Sequence, residues 1–371
     1  MQLTESKKTK SQVILDINLK NLKSNYLKIK DTVSKYTQVA ATVKADGYGL
    51  GSAEVVKSLI QEKCKIFFVA TLDEAIILRK RYKKIQIQVL NGLQFERIKE
   101  YDKYNIIPII NSLTQLSKIE DYSRKVKRKE ITIHFDTGMS RLGLDKKETE
   151  ILINNQNKLI RYSKLTLIMS HLACGDDPKN KKNINQLNLF EKISQNFPDV
   201  KKSLSNSAGI LLGRKYDFDL VRPGISLYGG YCRKQEKRNT YKNVVSLKSK
   251  IIQKRTIQSG DSIGYGGTYV AKKEMIIATI PIGYADGFFR SFSNKINFFF
   301  LSKKVPMIGR VSMDLMTVDL TAFKNTRSKS NDYIEIINDK STINDLSEIV
   351  STIPYELLTS LGKRYQRRYI A

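Results

Sequence analysis

The chain has 371 residues, 41% of them hydrophobic, and carries a formal net charge of +29. This length fits a barrel of ordinary size followed by a smaller domain, with enough apolar residues for a core in each. The three cysteines have no paired spacing and there are only two histidines, which argues against a disulfide framework and a metal centre. The first dozen residues are polar and basic, and no apolar segment follows them. We therefore expect a cytoplasmic protein without a signal peptide or membrane span.

The excess of positive charge has two interpretations. One is binding to nucleic acid or to an anionic membrane. The other is a lysine-rich proteome, and the scattered distribution favours it, since basic runs such as 125–129 and 179–182 accompany no recognisable nucleic-acid module. We predict no nucleic-acid or membrane partner.

Up to about residue 230, short apolar runs alternate with amphipathic segments such as 52–61 and 72–81. This rhythm predicts βαβ units and a parallel sheet. Eight such units predict an α/β fold with a closed N-terminal (β/α)8 TIM-like barrel over residues 12–238. The predicted strands are 39–43, 66–70, 85–90, 106–110, 131–135, 165–169, 203–204 and 220–221, the last two being weak when judged alone.

The pattern changes near residue 240, where strand-like runs follow one another with turns between them. This predicts a second, mostly antiparallel β domain over residues 239–371, with the boundary somewhere in 230–242. Helical periodicity returns only at 343–361. The predicted strands of this domain are 246–257, 275–281, 295–301, 305–308 and 315–320.

In a (β/α)8 barrel, chemistry occurs at the carboxyl ends of the strands. Lys44 ends the first predicted strand, beside a glycine-rich loop at 45–51. Burial lowers the pKa of a lysine, and a neutral amine can attack a carbonyl carbon. Taken alone, Lys44 is better explained as a surface lysine at a strand end. The glycine loop does not match the dinucleotide-binding pattern G-x-G-x-x-G.

A second group follows the seventh and eighth strands. Ser207, Gly224 and Ile225 lie where such barrels commonly bind phosphate, although Asn206 and Ser207 by themselves suggest a simple helix cap. A phosphate site opposite an activated lysine is what pyridoxal phosphate requires.

These segments also resemble a known family. The run V-K-A-D-G-Y-G-L-G at 43–51 is similar to the cofactor-lysine signature of the alanine racemases. The resemblance continues in chain order at 136–143, 206–208, 222–229, 264–266, 281–287, 309–314 and 354–356, so it covers nearly the whole chain. Each motif is moderately specific and the set is highly specific. The family's fold, a barrel followed by a β domain, agrees with the periodicity.

The resemblance implies a role for each matching residue. Lys44 would hold pyridoxal phosphate through a Schiff base, and Arg222, supported by His171, would face the pyridine nitrogen. A guanidinium does not give up its proton, so the ring stays a weaker electron sink than a pyridinium, which favours racemisation over transamination. The further cofactor-binding residues that the resemblance implies are Tyr48, Arg141, Asn206, Ser207, Gly224, Ile225 and Tyr355.

The implied reaction interconverts L-alanine and D-alanine and needs a proton donor and acceptor on each face of Cα. Lys44 would serve one face and Tyr265, polarised by His171, the other, because an unassisted phenol is a weak base near neutral pH. In the family, Tyr265 and Met313 come from the partner subunit, so the resemblance implies a homodimer. The family's usual role is to supply D-alanine for peptidoglycan. The implied substrate-binding residues are Arg141, Met313, Asp314 and Tyr284, and the positions matching the substrate entrance are Tyr284, Asp176, Arg290, Arg310 and Ile353.

One position departs from the family's pattern. Many relatives have a carbamylated lysine two residues before the match to Asp136, where it orients the arginine that matches Arg141. This chain has His134, which cannot carry that modification. We expect either a neutral, hydrogen-bonded His134 or a bound anion in place of the missing charge, and a different network that holds Arg141.

Four other functions stay open on the sequence. They are an amino-acid racemase of broader specificity, acting for example on serine, a barrel-type amino-acid decarboxylase, a non-catalytic barrel that binds pyridoxal phosphate, and a basic nucleic-acid-binding protein. The Tyr265 motif and the short chain argue against the decarboxylase. The second domain argues against the non-catalytic barrel.

Overall fold

The computed structural model describes residues 11–126, 128–233, 240–326 and 333–371. The chain forms two units. The barrel unit spans residues 22–242, and the sheet unit combines residues 11–21 with 243–371. No helix within these described ranges is long and apolar enough to cross a membrane.

The strands of the described residues are β1 (Val13–Asn18), β2 (Gln38–Val39), β3 (Ala41–Thr42), β4 (Ile66–Val69), β5 (Gln86–Val89), β6 (Ile107–Ile110), β7 (Lys129–His134), β8 (Ser163–Met169), β9 (Lys201–Ser203), β10 (Leu220–Val221), β11 (Val245–Lys250), β12 (Gln253–Ile257), β13 (Ser262–Ile263), β14 (Tyr269–Val270), β15 (Met275–Ile280), β16 (Asn297–Phe300), β17 (Lys303–Ile308), β18 (Met316–Asp319), β19 (Tyr333–Ile337) and β20 (Gln366–Ile370).

The α-helices of the same residues are α1 (Leu19–Thr32), α2 (Lys44–Tyr48), α3 (Ser52–Gln61), α4 (Leu72–Arg81), α5 (Ile98–Lys103), α6 (Leu113–Lys125), α7 (Lys146–Asn154), α8 (Gln156–Leu159), α9 (Lys181–Ser194), α10 (Ser207–Ile210), α11 (Ile343–Ile349) and α12 (Pro354–Ser360). The segment α2 is a left-handed turn rather than an ordinary helix, as shown below.

Parallel strands close the barrel in the predicted order. Each of the strands β3 to β8 pairs with its successor, and β10 pairs with β2. The edges of β9 and β10 are joined by the N–H of Asp219, which donates to the carbonyl of Lys202 at 3.1 Å, and by the N–H of Arg222, which donates to Ser205 at 2.9 Å. The first predicted strand is interrupted at Ala40 into β2 and β3. The expected barrel is thereby confirmed, including its two weak strands.

Apolar side chains fill the barrel interior, as the alternation along the strands requires. The buried cluster consists of Ala40, Phe68, Ile109, Leu167, Met169 and Leu220. Polar residues follow the strands and begin the helices. Thr71, Ser112 and Asp145, for example, each accept a backbone N–H of the following helix through the side chain. The repeated sequence of strand, polar loop and capped helix therefore fixes the positions of the strand ends.

The sheet unit is built on nine strands in the order β12-β15-β18-β17-β16-β19-β11-β1-β20. All neighbouring pairs are antiparallel except β1 and β20, which confirms the predicted mostly antiparallel domain. The single strand that we predict at 246–257 is two strands, β11 and β12. The predicted helical segment at 343–361 is likewise divided into α11 and α12.

One strand lies outside the unit to which the sequence assigns it. The predicted barrel domain starts at residue 12, but β1 pairs with β11, where Leu15 is opposite Leu247, and with β20. The alternating burial of its residues marks it as a strand. Its partners lie more than two hundred positions away, which local periodicity does not reveal.

Candidate active site

Most predicted site residues lie at the carboxyl ends of the barrel strands. Because parallel strands end at the same mouth of a barrel, side chains at these positions converge. The residues at or after the ends of β3, β7, β8, β9 and β10, in that order, are Lys44, His134 with Arg141, His171, Asn206 with Ser207, and Arg222 with Gly224 and Ile225.

Lys44 begins an unusual stretch of backbone. The next four residues, Ala45, Asp46, Gly47 and Tyr48, have φ of 53°, 52°, 66° and 55°, so the chain makes a left-handed helical turn. This conformation costs an L-residue about 1–2 kcal/mol, and it persists only where surrounding groups hold it. Strain of this kind is concentrated at functional sites.

Hydrogen bonds hold this turn from several sides. The N–H of Gly49 donates to the carbonyl of Ala45 at 2.7 Å. The Asp46 carboxylate accepts the N–H and the hydroxyl of Ser52 at 2.8 and 3.0 Å, which ties the turn to the start of α3. The N–H of Ala45 donates to the Glu74 carboxylate at 2.6 Å.

The amine of Lys44 is half-buried among positive charges. Burial and then the guanidinium of Arg141 lower the pKa of Lys44, whereas the carboxylate of Glu74 acts in the opposite direction. A lowered pKa increases the fraction of neutral amine at physiological pH. The neutral amine is the form that attacks a carbonyl carbon and that accepts a proton.

Arg222 is a buried cation whose hydrogen-bond partners are all uncharged. Its Nη1 donates to the hydroxyl of Ser203, and its Nη2 donates to the carbonyls of Ser170 at 2.5 Å and Leu204 at 3.4 Å. Burial lowers the pKa of Arg222 to about 9, which leaves the guanidinium charged at pH 7. No described residue accepts a hydrogen bond from Nε. That N–H is therefore available to an acceptor such as a pyridine nitrogen.

His171 lies between Arg222 and Asn206. The amide oxygen of Asn206 accepts the N–H of Gly209 at 2.9 Å, so its Nδ2 faces Nε2 of His171 as a donor at 3.2 Å. Nδ1 of the ring lies 3.5 Å from Nη2 of Arg222, which is also a donor. A neutral imidazole has one acceptor nitrogen, so His171 accepts a hydrogen bond from only one of these two neighbours. Burial and then the charge of Arg222 hold the pKa of His171 well below its ordinary value. The ring is therefore neutral.

His134 is buried, and Asn111 fixes its tautomer. The Nδ2 of Asn111 donates to the carbonyls of Leu90 and Ile109, both at 3.1 Å, so its Oδ1 accepts from Nδ1 of His134 at 2.9 Å. The Nε2 of His134 is consequently an unprotonated acceptor. Burial and then Arg222 lower the pKa of His134 to about 3. The hydrogen bond to Asn111 agrees with the first of the two expectations for this position, and a bound anion stays a prediction.

Arg141 lies in the loop after β7 with an exposed side chain. Its guanidinium makes no hydrogen bond or ion pair with any residue that the structure describes, so the alternative network that we expected to hold it is not found there. Its charge still lowers the pKa of Lys44, His134 and His171. Arg141 thus belongs to the same electrostatic cluster.

Three predicted phosphate-binding residues meet in one place, which we call the anion cradle: Tyr48, Ser207 and Gly224. The hydroxyl oxygen of Ser207 accepts the N–H of Gly224 at 2.8 Å and that of Ser226 at 3.3 Å. A Cβ on Gly224 would lie 2.1 Å from the hydroxyl of Tyr48, so only glycine lets the phenol approach this closely. Ile225 follows Gly224 directly. Hydroxyls and amides gathered at strand ends are typical of phosphate sites.

The residues present fit the pyridoxal phosphate that the sequence resemblance implies. The cluster contains three basic side chains, Lys44, Arg141 and Arg222, together with two neutral histidines. A phosphate dianion suits this excess of positive charge and the anion cradle. The N–H of Arg222 suits a ring nitrogen, and the amine of Lys44 suits an aldehyde carbon.

Tyr265 stands in an exposed turn of the sheet unit, with its side chain 71% exposed. The glycines on both sides, Gly264 and Gly266, have φ of 71° and 70°. The guanidinium of Arg310 lies against Gly266, where a Cβ would be 3.0 Å from Nη1. The turn therefore presents the phenol to the surface of this unit.

Two further predicted residues, Tyr284 and Met313, lie on adjoining loops of the sheet unit. The N–H of Tyr284 donates to the carbonyl of Ser312 at 3.0 Å, and the N–H of Ala285 donates to that of Met313 at the same distance. Both side chains are exposed. The backbone pairing fixes the two loops relative to each other.

Asp314, which we predict to bind substrate, makes an ion pair. Arg364 donates through Nη1 to Asp314 at 2.6 Å and through Nε and Nη2 to the two oxygens of Asp286, both at 2.7 Å. The carboxylate therefore helps to hold the Met313 loop, and substrate binding by Asp314 stays a prediction. So does the role of Tyr355, the second residue of α12. Of the predicted entrance residues, Asp176 lies in the barrel unit, and Arg290, Arg310 and Ile353 lie in the sheet unit.

Sequence reasoning missed three polar residues that shape the barrel site: Glu74, Asn111 and Gln186. Glu74 follows Thr71 by three positions directly after a strand, which is a capping-box pattern. Gln186, on α9, donates through Nε2 to the carbonyl of His171 at 2.9 Å. No local pattern distinguishes Asn111 or Gln186 from ordinary polar residues.

Known proteins match both parts of the chain. The family profile described as "Alanine racemase, N-terminal domain" matches residues 17–232, and "Alanine racemase, C-terminal domain" matches residues 244–369. The alanine racemase of Rickettsia rickettsii (strain Sheila Smith) is 43% identical over 358 residues, which cover 96% of this chain and 98% of the relative. That of Rickettsia africae (strain ESF-5) is 42% identical with the same coverage.

Solved structures of alanine racemases are also similar to this chain. Alanine racemase from Bartonella henselae with covalently bound pyridoxal phosphate has a TM-score of 0.91 at 37% identity, covering 97% of this chain and 100% of that one. The biosynthetic alanine racemase from Pseudomonas aeruginosa has a TM-score of 0.88 at 27% identity with the same coverage.

Proposed function

The chain belongs to the alanine racemase family, and on that premise we propose that it interconverts L-alanine and D-alanine with pyridoxal phosphate as its cofactor. The observation that carries the proposal is the environment of Lys44. Its amine has a lowered pKa, lies in the same turn as Tyr48 of the anion cradle, and shares its surroundings with Arg141.

The barrel unit supplies the groups that would hold the cofactor. Ser207, Tyr48 and the backbone at Gly224 and Ile225 would bind its phosphate. The Nε–H of Arg222 would donate to the ring nitrogen without transferring a proton, because the guanidinium stays charged. Bound pyridoxal phosphate supplies an electron-withdrawing ring that acidifies the Cα–H of an attached amino acid.

Racemisation then requires proton transfer on both faces of Cα. The Nζ of Lys44 serves one face, since burial and the charge of Arg141 lower its pKa and so favour the neutral amine, the form that accepts a proton. The Oη of Tyr265 serves the other face. The direction of reaction depends only on which group holds the proton first. Arg141 and the backbone at Met313 would bind the alanine carboxylate.

We also propose a homodimer in which Tyr265 and Met313 of one protomer complete the site of its partner. Their exposure, 71% and 54%, supports this arrangement, since both side chains are available to a partner. The proposal places the enzyme in the cytoplasm, where its D-alanine would supply peptidoglycan synthesis.

The test follows the optical rotation of L-alanine and of D-alanine in the presence of pyridoxal phosphate. We expect the parent to racemise both, and Lys44→Ala and Tyr265→Phe each to lose at least about a thousandfold in kcat. Lys57→Ala, on the exposed face of α3, and Tyr269→Phe, in the same unit as Tyr265, are matched controls that should keep full activity. Full activity in Tyr265→Phe would contradict the two-base assignment. Faster turnover of L-serine than of L-alanine would contradict the substrate assignment.

A further inference from the structure

Glu74 has no part in the proposed reaction, yet it contacts the turn that carries Lys44. Its Oε1 accepts the N–H of Ala45, the residue directly after Lys44, at 2.6 Å. Its Oε2 accepts the N–H of Ala70 at 2.8 Å and that of Thr71 at 3.3 Å. One carboxylate therefore joins the loops that follow two neighbouring barrel strands, β3 and β4.

The turn needs such a clamp because its conformation is strained. The N–H groups of Gly47, Gly49 and Gly51 are bonded to carbonyls of the preceding turn. The N–H of Ala45 comes first and has Glu74 as its acceptor. A helix-capping acid thus also anchors the start of the left-handed turn.

The charge of Glu74 acts on the same amine. Of the groups that perturb the pKa of Lys44, burial and Arg141 disfavour the ammonium, and Glu74 is the one that favours it. A base that must also return a proton needs the ammonium to be accessible near neutral pH.

We propose that Glu74 is a positioning residue for Lys44, holding the left-handed turn through the N–H of Ala45 so that Nζ keeps its place for proton transfer. The inference rests on the proposed function, because that function makes Lys44 one of the two bases.

A carboxylate is required here for a chemical reason. Three backbone N–H groups approach its two oxygens from two different loops. A glutamine side chain has one acceptor oxygen, and its NH2 would face a remaining N–H donor. Glu74→Gln should therefore keep the cap of α4 or the bond to Ala45, but not both. Glu74→Asp should keep the cap, since Asp345 forms a capping box with Thr342 at the start of α11, and should be too short to reach Ala45.

The matched control is Glu120→Gln. Glu120 also accepts three backbone N–H groups through both oxygens, from Arg161 at 3.0 Å, Tyr162 at 2.6 Å and Ser163 at 2.9 Å. These lie at the beginning of β8, the end of the strand opposite to the one that leads to His171. Its loss should affect the fold to a similar extent without changing the turn at Lys44.

The first measurement is hydrogen exchange of the peptide covering residues 44–51, with and without pyridoxal phosphate. Losing the hydrogen bond from the N–H of Ala45 to Glu74 should speed amide hydrogen exchange of this peptide about tenfold in Glu74→Gln and in Glu74→Asp. Exchange should not change in Glu120→Gln. The second is steady-state kinetics, where kcat should fall about tenfold in both Glu74 variants with KM for alanine little changed.

The outcomes separate the two claims. Unchanged exchange in both Glu74 variants, or faster exchange with unchanged kcat, would overturn the inference and leave the racemase proposal intact. A parent that does not racemise alanine, while the Glu74 variants still exchange faster, would overturn the proposed function and keep the clamp.

Discussion

Two histidines with lowered pKa values should make the barrel unit sensitive to mild acid, and the buried His134 gives the sharper test. In the unfolded chain a histidine titrates near pH 6.5, whereas burial and the charge of Arg222 hold the pKa of His134 at about 3 in the folded protein. The acid at Asp136 opposes this shift, and Arg141 adds to it.

The sign follows from which state binds the proton. Because the folded-state pKa is lowered, the stabilisation is complete above pH 6.5 and is lost as the pH falls from 6.5 toward 3. A pH of 5.0 lies about 1.5 units below the pKa of the histidine in the unfolded chain. Each of these units stabilises the protonated, unfolded state by about 1.4 kcal/mol. His134 alone should then remove about 2 kcal/mol from the free energy of unfolding.

The assay compares the parent with His134→Gln, which leaves His171 and every carboxylate in place. Urea unfolding is followed by far-UV circular dichroism at pH 7.5 and 5.0, since the chain has no tryptophan. Between these pH values the parent should lose about 2 kcal/mol more than the variant. Equal losses would mean that His134 is already protonated in the folded protein at pH 5, which would refute the neutral imidazole bonded to Asn111.

Two further pairs of substitutions test backbone strain and ion pairing through the free energy of unfolding in urea. Ala45→Gly should raise it by about 1 kcal/mol, because glycine adopts the left-handed conformation without strain, whereas Ala53→Gly within α3 should lower it by about 1 kcal/mol. A loss in Ala45→Gly would contradict the left-handed turn. Asp286→Asn should lower the free energy of unfolding by about 2–3 kcal/mol, because this buried carboxylate forms a bidentate ion pair with Arg364. Asp314→Asn should lower it by less than about 1 kcal/mol, because Asp314 pairs with the same arginine on its exposed side. Equal losses in these two variants would contradict the difference in burial.

The barrel could be predicted from sequence because its signal is repeated. The runs at 203–204 and 220–221 are too short to identify alone, but they continue a rhythm of six stronger units, and β9 and β10 lie there. The placement of β1 could not be predicted in the same way. Its alternating residues identify a strand, whereas its partners β11 and β20 are fixed by contacts between opposite ends of the chain.

Some residues of the site could likewise be predicted from sequence and others could not. Residues within motifs, such as Lys44, Ser207 and Gly224, could be selected from sequence, and the structure brings Tyr48, Ser207 and Gly224 into contact. The left-handed turn could not be predicted, because a glycine-rich run is compatible with many turns. The tautomer of His134 depends on Asn111, which is 23 positions away and on another strand. Interactions of this kind are visible only once the strands are in register.

Arg222 explains why this pocket is organised around an anion. Its guanidinium is buried without a carboxylate partner, surrounded by carbonyls, a hydroxyl and a neutral histidine. An uncompensated buried cation destabilises a protein unless hydrogen bonds or a ligand offset the desolvation of its charge. Burial and then the same charge lower the pKa of both histidines, so that each ring keeps a lone pair as an acceptor and adds no further positive charge. A phosphate bound nearby would offset this excess at the anion cradle, and a ring nitrogen would satisfy the remaining N–H. The positive charge and the available donors of this pocket therefore match the phosphate and the ring nitrogen of pyridoxal phosphate.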